Sequence, residues 1–235
     1  MPGILYLIPT PLGDNDVSAV IPQEVKHIVA SLDCFIVENA KTARRYLAKL
    51  GVTTPLQNIK FDILNEHTRP EALITSIKQL LSGKDIGLMS EAGCPAVADP
   101  GADLIKLAHA NRIRVVPLVG PSAILLALMA SGLNGQHFAF HGYLPVGIKE
   151  RIKKILELER TSKVLDQTEI FIETPYRSGK LLRNLLETCR KTTLLCLATN
   201  ISLASESIAT KRISEWRSSP PDINRRPTVF LLYAD

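Results

Sequence analysis

The chain has 235 residues, enough for one large or two small domains and for a core that needs no disulfide staples. Apolar residues make up 46% and charged residues 22%, which excludes a disordered or fibrous chain. Lys and Arg number 28 against 23 Asp and Glu, a net charge of +5 that permits a polyanionic partner without requiring one. No apolar stretch reaches the ~18 residues of a membrane span. The Met-Pro-Gly start lacks the basic and apolar regions of a secretory signal. A cytoplasmic protein is expected. Cys34, Cys94, Cys189 and Cys196 form no CxxC pair and read as reduced thiols, and no His, Cys and Asp spacing predicts a metal site.

Along the chain, strand and helix patterns alternate. Ile4–Ile8 is a continuous apolar run ending in Pro-Thr-Pro, as expected of a buried parallel strand. Helix periodicity follows over Val17–Leu32. Cys34–Val37 is a second buried strand, and Ala40–Leu50 an amphipathic basic helix closed by Gly51. Pro70–Leu81 is a helix with Pro in its first turn. Ile86–Met89 is a strand, Ala102–Asn111 a helix and Arg114–Pro117 a strand. This order predicts a mostly parallel sheet with helices on both faces, an α/β domain over residues 1–116.

The stiff Pro117–Pro121 segment reads as a linker, followed by a second α/β domain over residues 122–235. Its elements are a nearly all-apolar, buried helix Ser122–Ser131, a strand Phe138–Phe140 and a charged, exposed helix Lys149–Arg160. A strand Glu169–Ile172, a helix Ser178–Arg190 and strands Leu194–Thr199, Glu206–Lys211 and Thr228–Tyr233 complete it. Strands crowd toward the end without intervening helices, so this sheet should be mixed, with antiparallel edges.

Ligands of open α/β sheets bind at the carboxyl ends of the strands. Pro- and Gly-rich loops stand at six such ends, among them Pro9–Asp14, Glu38–Thr42, Ser90–Pro95 and Gly120–Ala123. The Rossmann G-x-G-x-x-G, the P-loop and the G-x-S-x-G elbow are all missing. The loops offer backbone and small residues with few charges, which suits a nucleoside-like ligand better than a polyphosphate.

Several blocks, taken together, resemble a known family. They are TPLG (Thr10–Gly13), NEH (Asn65–His67), SEAGCPAVADPG (Ser90–Gly101), RVVPLVGPSAILLALMASGL (Arg114–Leu133), FAFHGYLP (Phe138–Pro145) and FIETPYR (Phe171–Arg177). In this order they are similar to the signature blocks of the bacterial small-subunit rRNA cytidine 2′-O-ribose methyltransferases, of the tetrapyrrole methylase superfamily. The likeness is to a short form without the C-terminal extension of longer members. It implies a two-domain class III methyltransferase fold, a homodimer, and S-adenosyl-L-methionine bound in a cleft between the domains. By analogy Pro11, Gly13, Glu91, Ala92, Gly93, Pro121, Ser122, Ala123, Tyr143, Leu144, Pro175, Thr199 and Asn200 line the cofactor site. The family's E-D-T-R stands here as Glu38-Asn-Ala-Lys41, its D-A-G as Glu91-Ala-Gly93, and its A-R-E-L-T-K-like block as Ala198–Leu203.

A ribose hydroxyl is a poor nucleophile and needs a base or a polarising cation. Glu38, Lys41, Glu66 and His67 are the candidates. For an RNA substrate, Lys41, Arg44, Arg45 and Lys49 form one basic helix face. Arg177, Lys180 and Arg183 form a second patch, and Lys149, Arg151, Lys153 and Lys154 a third. Of these, Arg44, Arg45 and Arg177 are the substrate-binding candidates. Two rival functions stand beside this one: a C-methyltransferase acting on a tetrapyrrole, and a non-catalytic module that binds S-adenosylmethionine or a nucleotide.

Overall fold

A computed structural model describes residues 1–14, 16–65, 68 and 70–235. The chain divides into two compact units, Met1–Ser122 and Ala123–Asp235.

The first unit holds five parallel strands: β1 (Ile4–Ile8), β2 (Cys34–Val37), β3 (Lys60–Ile63), β4 (Ile86–Met89) and β5 (Arg114–Pro117), in the order β3-β2-β4-β1-β5. Every residue of β2 and β4 is buried, because helices cover both faces of the sheet. One face packs Ile8, Phe35, Val37 and Met89 under the helices α2 (Gln23–Ala30) and α3 (Ala40–Leu50). The other packs Leu5, Ile36, Ile86 and Leu88 under α4 (Pro70–Leu81) and α5 (Ala102–Ala110). Helix α3 has clear ends. The Asn39 side chain accepts the Lys41 amide at 2.9 Å, and Gly51 at φ +74° closes the helix in the left-handed conformation that costs glycine little.

Two expectations for this unit are corrected. The helix predicted over Val17–Leu32 is broken, with α1 (Val17–Val20) separated from α2 by Ile21-Pro22; Pro22 becomes the N-cap of the second piece, since proline cannot continue the first. The edge strand β3 was not expected: its half-exposed sequence KFDI lacks the apolar run of its neighbours.

The second unit carries a mixed sheet. Strands β6 (Phe138–Tyr143), β7 (Thr168–Glu173), β8 (Leu194–Thr199), β9 (Ser207–Arg212) and β10 (Thr228–Tyr233) lie in the order β6-β7-β10-β8-β9. Strands β6 and β7 are parallel and every other pair is antiparallel. Hence β6, β7 and β8 all end on one side of the sheet. The core lies on the face covered by α7 (Ile148–Leu165) and α8 (Ser178–Thr188), with Phe171 and Phe230 stacked at 5.8 Å between ring centroids.

Here too the expectations need correction. Helix α6 (Ala123–Ser131) is not buried all round: Leu125 and Met129 are 52% and 79% exposed. Helix α7 is longer than predicted, and Arg151 and Glu159 within it are buried. Arg151 donates to Asn184 at 2.9 Å and Lys154 pairs with Glu157 at 2.7 Å, so two of the four cations of the third basic patch are committed. A short helix α9 (Ile213–Ser218), missed in the sequence, seals the core with Trp216, whose indole N–H donates to Leu195 O at 2.8 Å. The four cysteines are unpaired.

Phe230 is fully buried at the centre of the second core. Phe230→Ala should lower stability by about 3–5 kcal/mol, read as a shift in the urea midpoint, because few neighbours can close the void.

Candidate active site

In the first unit, loops at strand ends surround a cavity of about 490 Å3. Its lining includes Pro11, Gly13 and Asp14 after β1, Glu38 after β2, and Ser90, Glu91 and Ala92 after β4. One face of α3 closes it through Thr42, Arg45, Tyr46 and Lys49, residues spaced to lie on the same side of a helix.

Backbone and side-chain bonds fix this arrangement. Thr10 and Gly93 exchange two backbone hydrogen bonds, Thr10 N to Gly93 O at 2.9 Å and Gly93 N to Thr10 O at 3.1 Å. Gly93 takes φ +76°, and a Cβ there would stand 3.3 Å from Leu12 Cδ2. The position therefore requires glycine for its conformation and favours it for space. Tyr46 donates its hydroxyl to Pro9 O at 2.7 Å, and Thr42 donates to Glu91 Oε1 at 2.5 Å. Lys49 Nζ pairs with Asp14 Oδ1 at 2.6 Å. Each bond joins α3 to one of the loops.

The electrostatics centre on Glu38. Its Oε1 accepts the Glu91 amide at 3.2 Å. Burial, then the charges of Asp99 and Glu91, pushes the Glu38 carboxyl above its ordinary range. Burial, reinforced by Glu91, raises Asp99 in the same way. The Ser90 hydroxyl, buried beside both, tempers the rise without completing a hydrogen bond to either. Burial also raises the Tyr46 phenol, which stays protonated and keeps its bond to Pro9.

The structure places the predicted residues unevenly. Pro11, Gly13, Glu91 and Ala92 line one cavity with Glu38 and Arg45, and Gly93 anchors its wall. Pro121 lies behind Gly93, with Cys94 Sγ 3.5 Å from Pro121 O, and Ser122 ends the unit. Lys41 is exposed in the first turn of α3 and is not part of the lining. Glu66 and His67 lie outside the described residues. Ala123 opens α6.

In the second unit, Tyr143, Pro175, Thr199 and Asn200 sit at the side of the sheet where β6, β7 and β8 end. The Pro175 carbonyl accepts the Arg225 amide, and the Asn200 amide donates to Pro227 O, so one segment braces both. The Leu144 side chain is 2% exposed and belongs to the core, leaving only its backbone for a ligand.

Two substrate candidates are redirected. Arg44 stacks its guanidinium 4.8 Å from the Phe61 ring centroid. Arg177 is held by the buried Glu173, at 2.9 Å from Nε and 2.7 Å from Nη2 to Oε1. The roles of Thr42 and Tyr46 escaped the sequence reading, although their spacing with Lys49 at i, i+4 and i+7 carried the signal. Asp99 carried none beyond its place in the SEAGCPAVADPG block.

No model of a protein family matches the chain. Ribosomal RNA small subunit methyltransferase I of Vibrio cholerae serotype O1 is 34% identical over 233 residues, 98% of this chain and 77% of that protein. Among solved structures, a diphthine synthase superposes with a TM-score of 0.71 at 14% identity, over 99% of this chain and 90% of its own. A uroporphyrin-III C-methyl transferase from Thermus thermophilus, complexed with S-adenyl homocysteine, superposes with a TM-score of 0.60 at 14% identity, over 98% and 97%. These two structures establish the shared fold.

For an acid whose folded-state value lies above its unfolded one, ionisation opposes folding; that cost is absent below the unfolded value and complete above the folded one. Glu38→Gln retains an acceptor for the Glu91 amide and cannot ionise. Its urea midpoint should exceed that of the wild type at about pH 7.5, and the gain should vanish near pH 4, below the ordinary Glu value. A gain of the same size at both pH values would contradict the raised carboxyl.

Proposed function

The chain belongs to the ribosomal RNA small subunit methyltransferase I family, and we propose that it transfers a methyl group from S-adenosyl-L-methionine to a ribose 2′-hydroxyl of small-subunit ribosomal RNA. The observation that carries this reading is the cavity of the first unit, where a carboxyl raised by burial faces loops suited to a nucleoside-like ligand. Its volume falls within the ~300–1,000 Å3 of small-molecule sites. The close backbone approach at Gly93 and the exposed Glu91 carboxylate suit an adenosyl ligand that carries an ammonium group. Pro11, Gly13, Glu91 and Ala92 would hold the donor in this unit.

S-adenosylmethionine supplies the methyl group, and its carbon–sulfur bond breaks with the electron pair going to sulfur as the ribose oxygen attacks. The protein orients the acceptor and takes up one proton. Orientation of this kind supplies up to ~7–11 kcal/mol. Glu38 accepts the hydroxyl proton. A carboxyl raised above its ordinary range is, once ionised, a stronger base than an ordinary one. The two acids beside it, Glu91 and Asp99, sustain that rise.

The 34% identity over nearly the whole chain favours an RNA acceptor over a tetrapyrrole, which fold likeness at 14% cannot do. The half-buried carboxyl in the cavity favours an enzyme over a passive binding module. We also infer a homodimer: the exposed Leu125 and Met129 on α6 and the open edge of β6, with Phe138 and Tyr143 exposed, are surfaces a second copy would cover. A ribosomal substrate implies action in the cytoplasm, and among the described residues no helix is long and apolar enough to cross a membrane.

With labelled S-adenosylmethionine, the wild type should label small ribosomal subunits at a ribose and leave a porphyrinogen unlabelled. Glu38→Gln should lower kcat by roughly 10²–10⁴ with little change in KM for the donor. Label on the porphyrinogen would establish the tetrapyrrole reading instead, and no turnover on either acceptor would support the binding module.

A further inference from the structure

We infer that Arg45, alone among the cations of α3, anchors a phosphodiester beside the acceptor ribose; the assignment rests on the RNA reading above. The helix carries four cations on what the sequence presents as one basic face, and the structure gives them different employment. Lys41 lies outside the cavity lining. Arg44 is turned onto the Phe61 ring. Lys49 is neutralised by Asp14 at 2.6 Å. Arg45 lines the cavity, is exposed, and among the described residues has no hydrogen bond or ion pair at contact distance.

On the cavity face of α3, Thr42 is engaged by Glu91, Tyr46 by Pro9 and Lys49 by Asp14. Among the described residues the guanidinium of Arg45 makes no such bond. The Asp14 carboxyl is drawn below its ordinary value chiefly by Lys49, with Arg45 the smallest influence, so Asp14 does not consume the Arg45 charge. A guanidinium presents a planar fork of donors that matches two oxygens of a phosphate. Glu38 borders the same cavity and offers a proton acceptor. A cavity bounded by a carboxyl and an unpaired guanidinium suits a ligand carrying both a hydroxyl and a phosphate, which is a nucleotide within a strand. The rival occupant of Arg45 is the carboxylate of the methyl donor, and the test separates the two.

The experiment measures binding of a small-subunit rRNA fragment to the full chain, saturated with S-adenosylhomocysteine, across a salt series. Arg45→Ala should weaken binding about ten-fold at ~0.1 M salt and flatten the slope of log K against log salt by roughly 0.7–0.9, one phosphate contact. Arg45→Lys should keep the slope and recover part of the affinity, and Arg44→Ala should leave the slope unchanged. Calorimetric affinity for S-adenosylhomocysteine without RNA should be the same in Arg45→Ala and the wild type. RNA binding by Arg45→Ala with an unaltered slope, an equal loss in Arg44→Ala, or weakened S-adenosylhomocysteine binding would each overturn the assignment and leave the RNA reading standing. A wild type with no salt-dependent RNA binding would overturn both.

Discussion

The two backbone hydrogen bonds between Thr10 and Gly93 join the loop after β1 to the loop after β4, and the cavity of the first unit depends on them. Neither loop belongs to a sheet or helix that would otherwise fix it. The bridge makes them one wall, and Gly93 permits it through a positive φ. Helix α3 is then fastened to that wall at three heights, by Thr42, Tyr46 and Lys49. Such a wall can present backbone groups to a ligand without reorganising at the moment of reaction.

The same geometry creates the electrostatic character of the site. Glu38, Glu91 and Asp99 are brought near one another at strand ends where water is partly excluded, so Glu38 and Asp99 ionise reluctantly. A core built for stability alone would avoid this arrangement, since burying acids without paired cations opposes folding. Two cations of α3 are engaged elsewhere: Lys49 pairs with Asp14 and Arg44 lies on Phe61. Local cost of this kind is what a general base requires, and it concentrates at functional sites.

Much of the fold was legible in the sequence. The apolar runs Cys34–Val37 and Ile86–Met89 are wholly buried and Ile4–Ile8 is so at Leu5 and Ile8; all three advertised themselves as parallel strands. Helix α3 was bounded correctly because Asn39 and Gly51 mark its ends chemically. Strand β3 was invisible because an edge strand needs no apolar run, and α9 was too short for periodicity to register. At the site, loop composition marked the strand-end segments, and the family resemblance singled out Pro11, Gly13 and Glu91 within them. Neither showed which charges were already taken. Arg44, Arg151 and Arg177 looked like an RNA-binding surface in sequence, yet each has a partner remote in sequence or buried: Phe61, Asn184 and Glu173. Charge is a property of one residue and can be read from the sequence; availability depends on neighbours supplied by the fold.

If the proposed site at these strand ends takes an adenosyl-sulfonium compound, the folded chain binds S-adenosylhomocysteine. Titration calorimetry of the folded chain with S-adenosylhomocysteine at two temperatures tests it most directly, because burial of apolar surface makes the heat change with temperature even where one temperature gives almost none. Saturable one-site association with a negative heat-capacity change is expected. Absence of heat at both temperatures, from protein shown to be folded in the same buffer, would contradict it.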